Sequence, residues 1–155
     1  DLVKKGKRVV YEPSAISSEE ASYTLKEDMS VKIRMAFGGH QTVSHEWSSL
    51  FPPKNWFAFT FWSHKILRWY SPHLMIVTFL SSLALLHSTL IAIAFMLQVV
   101  FYMFAATGYI KQSKGEISTI LYVPMYFTIM NIAMFLGHFR YLKDSTSIKW
   151  DRAER

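Results

Sequence analysis

From Trp69 to Ile110 the chain runs for forty-two residues without an Asp, Glu, Lys or Arg. A helix needs about 20 apolar residues to cross a bilayer core, so this length fits two crossings. A single straight one would leave half of it stranded. The polar interruption His87-Ser88-Thr89 falls near the middle and predicts a tight turn, with spans over about 71–87 and 89–110. Pro72 fits the first turn of the opening span. Lys65 and Arg68 precede the run, and Lys111 and Lys114 follow it. Cations at both ends place both on the cytoplasmic side, as a helical hairpin requires. A third uncharged run, Ile117–Phe139, has 23 residues and is also long enough to cross. Pro124, Asn131 and Gly137 within it leave a kinked or re-entrant path open.

Upstream the pattern changes twice: residues 1–50 are polar and charged, and 51–70 are aromatic. Arg8-Val9-Val10-Tyr11 predicts a short strand, which Pro13 keeps from being a central one. Ser17 and Glu20 have capping-box spacing and predict a helix over about 18–37. Its apolar stripe is Ala21, Leu25, Met29, Ile33 and Phe37, at steps of four. Asp28 and Lys32 form an i,i+4 pair on another side. Glu27, Ser30, Arg34 and (if the helix continues through Gly38-Gly39) Gln41 lie along a further flank. A cationic amphipathic helix just before spans is expected to lie in the membrane interface.

Pro52-Pro53 breaks any continuous helix after residue 50. Four of the five tryptophans, Trp47, Trp56, Trp62 and Trp69, lie between positions 47 and 70, with Phe51, Phe57, Phe59 and Phe61 among them. Beside Lys54, His64, Lys65 and Arg68 they have the composition of an interfacial belt. Trp56, Trp62, Lys65, Arg68 and Trp69 are its expected anchors. An aromatic soluble core is the competing reading, and the span that starts immediately afterwards weighs against it.

The chain has 155 residues, one domain's worth of material. Its polar first part is too short to bury an adequate core alone. The formal charge of +6 would suggest nucleic acid in a soluble protein. Beside spans, attraction to anionic lipid headgroups explains it, and no nucleic-acid partner is expected. There is no cysteine, hence no disulfide framework and no thiolate metal site. The opening Asp1-Leu2-Val3-Lys4-Lys5-Gly6 has neither Met nor a signal peptide and reads as cut from a longer protein. If the third run crosses, Arg140, Lys143, Lys149, Arg152 and Arg155 of the polar tail (140–155) land outside, against the positive-inside tendency. An incomplete crossing, a further span upstream and an exception to the tendency all stay open. No internal repeat or low-complexity tract is present.

Motifs for chemistry are sparse. Gly38-Gly39 lacks the pattern of a phosphate loop, and His45-Glu46 has Ser49 where a second zinc-binding histidine would stand. His40 and His45 are five apart, wrong for one helix face. The six histidines read as interfacial or hydrogen-bonded groups rather than metal ligands. His87 marks the turn, and His73 and His138 mark span ends. Ser-His-Asp chemistry would need a buried acid, and the spans contain none. Asn131 and Gln98 are intramembrane amides, suited to helix–helix hydrogen bonds as well as to a pathway. Arg34 stands out, against the alternative of a solvated or lipid-facing cation.

The order of features resembles the carboxyl-terminal portion of a membrane family 2 glycosyltransferase, the group that includes the cellulose, hyaluronan and poly-N-acetylglucosamine synthases. The resemblance lies in Gly6-Lys-Arg-Val-Val-Tyr-Glu-Pro-Ser-Ala15, in Lys32-Ile-Arg-Met-Ala-Phe-Gly-Gly-His-Gln41, in Ser63-His-Lys-Ile-Leu-Arg-Trp-Tyr-Ser-Pro72 and in the tail Trp150-Asp-Arg-Ala-Glu-Arg155. It implies a mainly α, integral membrane chain: the end of a cytosolic GT-A α/β domain with interface helices, followed by two to three transmembrane helices. The Q-x-x-R-W motif of processive members falls on Val31-Lys-Ile-Arg34-Met35. The arginine is kept; Val31 and Met35 replace the glutamine and the sugar-stacking tryptophan. Lys65-Ile-Leu-Arg68-Trp69 keeps Arg-Trp at the membrane entry, where anchoring suffices.

The family's nucleotide site, D-x-D metal site and catalytic aspartate would lie upstream of Asp1. The resemblance therefore implies no catalytic residue, no metal site and no bound cofactor here. For the full-length enzyme it implies a nucleotide sugar and a divalent metal (Mg or Mn). Arg34, with Glu27 and Gln41, would contact a glycan or lipid-linked acceptor or the diphosphate. Membrane lipids and the missing catalytic domain are the expected partners. The implied location is the inner (plasma) membrane, multi-pass, with the N-terminal part cytoplasmic. The rival reading is a non-enzymatic membrane scaffold or partner-binding subunit.

Overall fold

The computed structural model describes residues 6–8, 10–18, 24–51, 56–115 and 117–144, apart from the side chain of Ser49. Among the described residues every regular element is a helix. Arg8, Val10 and Tyr11 form no strand, and Val9 lies outside the described residues. A strand needs a neighbour for its backbone N–H and C=O groups, and no described segment supplies one.

Helix α1 spans Leu25–Leu50 rather than 18–37. Ser17 and Ser18 are non-helical, and Glu20 and Ala21 lie outside the described residues. The cap is Thr24, seven residues beyond the one the spacing suggested. The Thr24 hydroxyl accepts from the Glu27 N–H at 3.2 Å, and the Thr24 N–H donates to the Glu27 carboxylate at 3.4 Å, a reciprocal capping box. The helix runs through Gly38-Gly39 and buries Ala36, Phe37, His40, Val43 and Leu50. The Asp28–Lys32 pair forms, at 4.0 Å.

Pro52 and Pro53 lie outside the described residues. Helix resumes as α2 (Trp56–Phe61), widens into a π-helical turn (Trp62–Ile66) and continues as α3 (Leu67–Ala84). Pro72 therefore stands in a helix interior, not in a first turn. Proline cannot donate to the carbonyl four residues back, here that of Arg68; the Ser71 hydroxyl donates to it instead, at 2.9 Å. The Trp62 indole N–H donates to the Leu50 carbonyl at 2.8 Å, tying the end of α1 to the wide turn.

A turn at Leu85–Ser88 leads into α4 (Thr89–Gln112), and a second turn leads into α5 (Thr119–Lys143). Helices α3 and α4 form a hairpin: Phe79 packs on Phe95 and Tyr102, with centroids 5.2 and 5.8 Å away, and Gln98 donates to Ser82 at 3.0 Å. Helices α4 and α5 form another, with Phe101 on Phe127 at 5.8 Å. At Gly108 a Cβ would lie 2.6 Å from the Leu121 carbonyl oxygen, so only glycine admits this approach. Helix α1 runs beside α5 in the same direction: Tyr126 donates to Asp28, and Gly137 sits where a Cβ would be 2.6 Å from Ala36.

Helices α4 and α5 are long and apolar enough to cross a membrane; among the described residues no other helix is. The span predicted at 71–87 falls on α3, which is not one of these two. The first two turns of α3 carry Arg68, Ser71 and His73, and the apolar remainder, Leu74–Ala84, is only about 16 Å long at 1.5 Å per residue. Helix α1, expected in the membrane interface, packs along α5.

Candidate functional site

The flank of α1 that carries Glu27, Arg34 and Gln41 repeats every seven residues, which brings the three onto one side but about 10 Å apart in succession. They share a side without converging on one point. Arg34 is exposed, with no ion pair among the described residues. Glu27 is engaged in the cap at Thr24, and Gln41 is half-buried. Of the expected anchors, Trp56, Lys65 and Arg68 are exposed. Trp62 is held by Leu50 and by the Trp47 and Phe51 rings, 6.4 and 6.0 Å away. Trp69 lies over Gly39, where a Cβ would meet its ring at 2.5 Å.

The opposite face of α1 builds a junction that the linear pattern did not announce. His40, 3% exposed, meets His138 of α5 with ring centroids 4.4 Å apart, and His138 meets His73 of α3 at 4.8 Å. His138 Nδ1 lies 3.2 Å from His40 Nε2, so one imidazole donates and the other accepts. Tyr70 and Tyr141 close over His40 at 5.3 and 5.8 Å. His73 and His138 are therefore not isolated marks of span ends. They sit 65 positions apart, and His40 lies 98 positions before His138; no spacing rule links such residues.

Burial disfavours the His40 imidazolium, and the neighbouring His138 and His73 disfavour it further, which pushes the His40 pKa down to about 4. The site around His40 thus favours its neutral imidazole. Among the described residues no three His, Asp or Glu side chains are arranged to hold a metal ion. The His73 Nδ1 atom is buried without a partner.

Both intramembrane amides serve helix packing. Asn131 accepts from the Ser71 hydroxyl and donates to the Phe127 carbonyl at 2.8 Å, joining α3 to α5. Gln98 joins α4 to α3 through Ser82. Such bonds replace water as the partner of a polar group in hydrocarbon.

No family model matches the chain, and neither a curated protein nor a solved structure does.

Proposed function

We propose that this chain is the membrane-facing part of a family 2 glycosyltransferase that moves a sugar, with inversion, from a nucleotide donor to a glycan or lipid-linked acceptor at the inner membrane. One observation supports the reading above others. Helix α1 continues unbroken through Lys32–Gln41, one of the stretches that resemble the family, and leaves Arg34 exposed while its other face packs on α5. An arginine on an anchored helix offers a planar fork of donors to a phosphate or a sugar hydroxyl. Donor binding, the divalent metal and the proton-accepting carboxylate belong to the upstream domain in this proposal.

Arg34→Ala in the full-length enzyme is expected to lower sugar incorporation from a labelled nucleotide sugar by at least about tenfold, the worth of a hydrogen bond to a charged group. Membrane insertion should be unchanged. A wild-type rate in that variant would dismiss the role. A coding frame upstream of Asp1 holding roughly 200 residues of α/β sequence with an acidic metal motif supports the enzyme. A start codon and promoter directly upstream would favour the scaffold.

A further inference from the structure

Between α1, α3 and α5 lies a cleft of about 410 Å³. Phe127, Met130 and Met134 form part of its wall, and Lys32 and Arg68 line it with them. A largely apolar concavity of this size holding a few polar groups is the common form of a small-molecule site. Its cations lack acceptors. The Lys32 ammonium stands 4.0 Å from the Asp28 carboxylate, beyond hydrogen-bond distance, and that carboxylate already accepts from the Tyr126 hydroxyl. Arg68 is exposed, and its guanidinium has neither an ion pair nor a hydrogen bond among the described residues. The other polar groups of the lining are spent on the protein itself. Ser71 is shared between Asn131 and the Arg68 carbonyl, and Asn131 donates to Phe127.

The place of these cations makes a partner valuable. Tyr126 and Asn131, which line the cleft beside them, fall near the middle of the uncharged run 117–139, on a helix long and apolar enough to cross a bilayer. A basic group against such a stretch is costly unless it is paired or hydrated. Lys32 and Arg68 are two cations and Asp28 is one carboxylate, which leaves a single positive charge to balance. A carboxylate is singly charged at neutral pH, whereas a phosphate monoester is nearly doubly charged. The guanidinium fork takes both oxygens of a carboxylate, and the apolar wall suits an acid that carries a hydrocarbon or aromatic body.

We propose that the cleft binds an organic acid, its carboxylate held by Arg68 and Lys32 and its apolar body laid against Phe127, Met130 and Met134. The same chemistry reaches the cleft from water as a small aromatic acid or from the bilayer as a fatty acid. The site does not rest on sugar transfer and would exist in a scaffold equally well.

The test titrates the full chain in detergent with para-fluorophenylacetate, followed by fluorine NMR against protein-free micelles. The matching neutral alcohol, para-fluorophenylethanol, should bind about tenfold more weakly, the fold-change expected of one charge-assisted hydrogen bond. Arg68→Gln should weaken the acid by a similar factor and leave the alcohol unchanged. Asp28→Asn removes the competing carboxylate while keeping an acceptor for Tyr126, and should strengthen the acid severalfold, a gain that misfolding cannot imitate. Lys111→Gln, outside the cleft, should change nothing. Equal binding of acid and alcohol by the wild type, unchanged binding in Arg68→Gln, or an equal loss in Lys111→Gln would overturn the proposal. So would displacement of the acid by an equal concentration of inorganic phosphate, which would mean a simple anion site. Dodecanoate competing more strongly than the aromatic acid assigns the ligand to the bilayer; weaker competition assigns it to water.

Discussion

Helices α4 and α5 are close in length, 24 and 25 residues, and both are apolar enough to cross a bilayer. Yet 6% of the apolar stretch of α4 is buried inside the protein against 33% of that of α5. Leu90, Leu97 and Met103 on α4 are 80%, 66% and 62% exposed, and in water such a surface far exceeds what a soluble monomer shows. Its natural solvent is lipid. Helix α5 is covered to a larger extent by its neighbours: α1 along one side, α4 along another, α3 across it. Similar composition thus serves two purposes, and the small and polar residues tell them apart. Met130, Asn131, Ala133, Met134 and Gly137 are buried on α5, whereas α4 buries only Ala105 and Gly108.

The contrast can be broken most forcefully from the α4 side. Leu97→Arg places a charge in the middle of the exposed apolar helix and is expected to cost about 3 kcal/mol of insertion free energy, read as loss of the alkali-resistant membrane fraction. A variant that instead became monodisperse without detergent would show that lipid does not solvate α4.

On α5 the sensitive position is a contact, not a depth. Gly137→Leu forces a side chain onto Ala36 and the Ile33 carbonyl, each 2.6 Å from the first added carbon, and should lower stability by about 2 kcal/mol in detergent melts. Ala94→Leu on the exposed surface of α4 should leave the melt unchanged. Equal effects at the two positions would erase the distinction between the helices.

A smaller effect sharpens the picture at the α1–α5 junction. An unfolded histidine titrates near 6.5, whereas His40 in the folded chain is pushed down to about 4. Between those values the unfolded state binds the proton that the folded state refuses, so stability falls as pH drops through that window. Melting temperature should therefore decline from pH 7 to pH 5, and the Trp69 emission, whose ring lies 6.2 Å from His40, should change with it. His40→Phe should flatten the pH dependence. A wild-type melt identical at the two pH values would contradict the buried neutral junction.

Much of this was legible from residue order. Absence of charge marked α4 and α5, and the polar triplet at His87 marked the turn after α3; for the two amides helix packing and a pathway both stayed open, and the structure shows them bonded between helices. The N-terminal boundary of α1 was misplaced because Ser17-x-x-Glu20 was read as the capping box, whereas Thr24-x-x-Glu27 satisfies the same pattern and is the one the chain uses. Pro72 misled because a first-turn proline and an interior proline look alike until a hydroxyl such as Ser71 is seen taking over the orphaned carbonyl.

What the sequence determined by itself is the set of segments that water cannot solvate, since that depends only on which side chains occur in succession. Which face of each segment meets which neighbour was decided by tertiary structure alone. The histidine junction and the bed of α1 on α5 join residues tens of positions apart, and Gly137 lets the α1 and α5 backbones approach. Local pattern carries periodicity; only packing carries partnership.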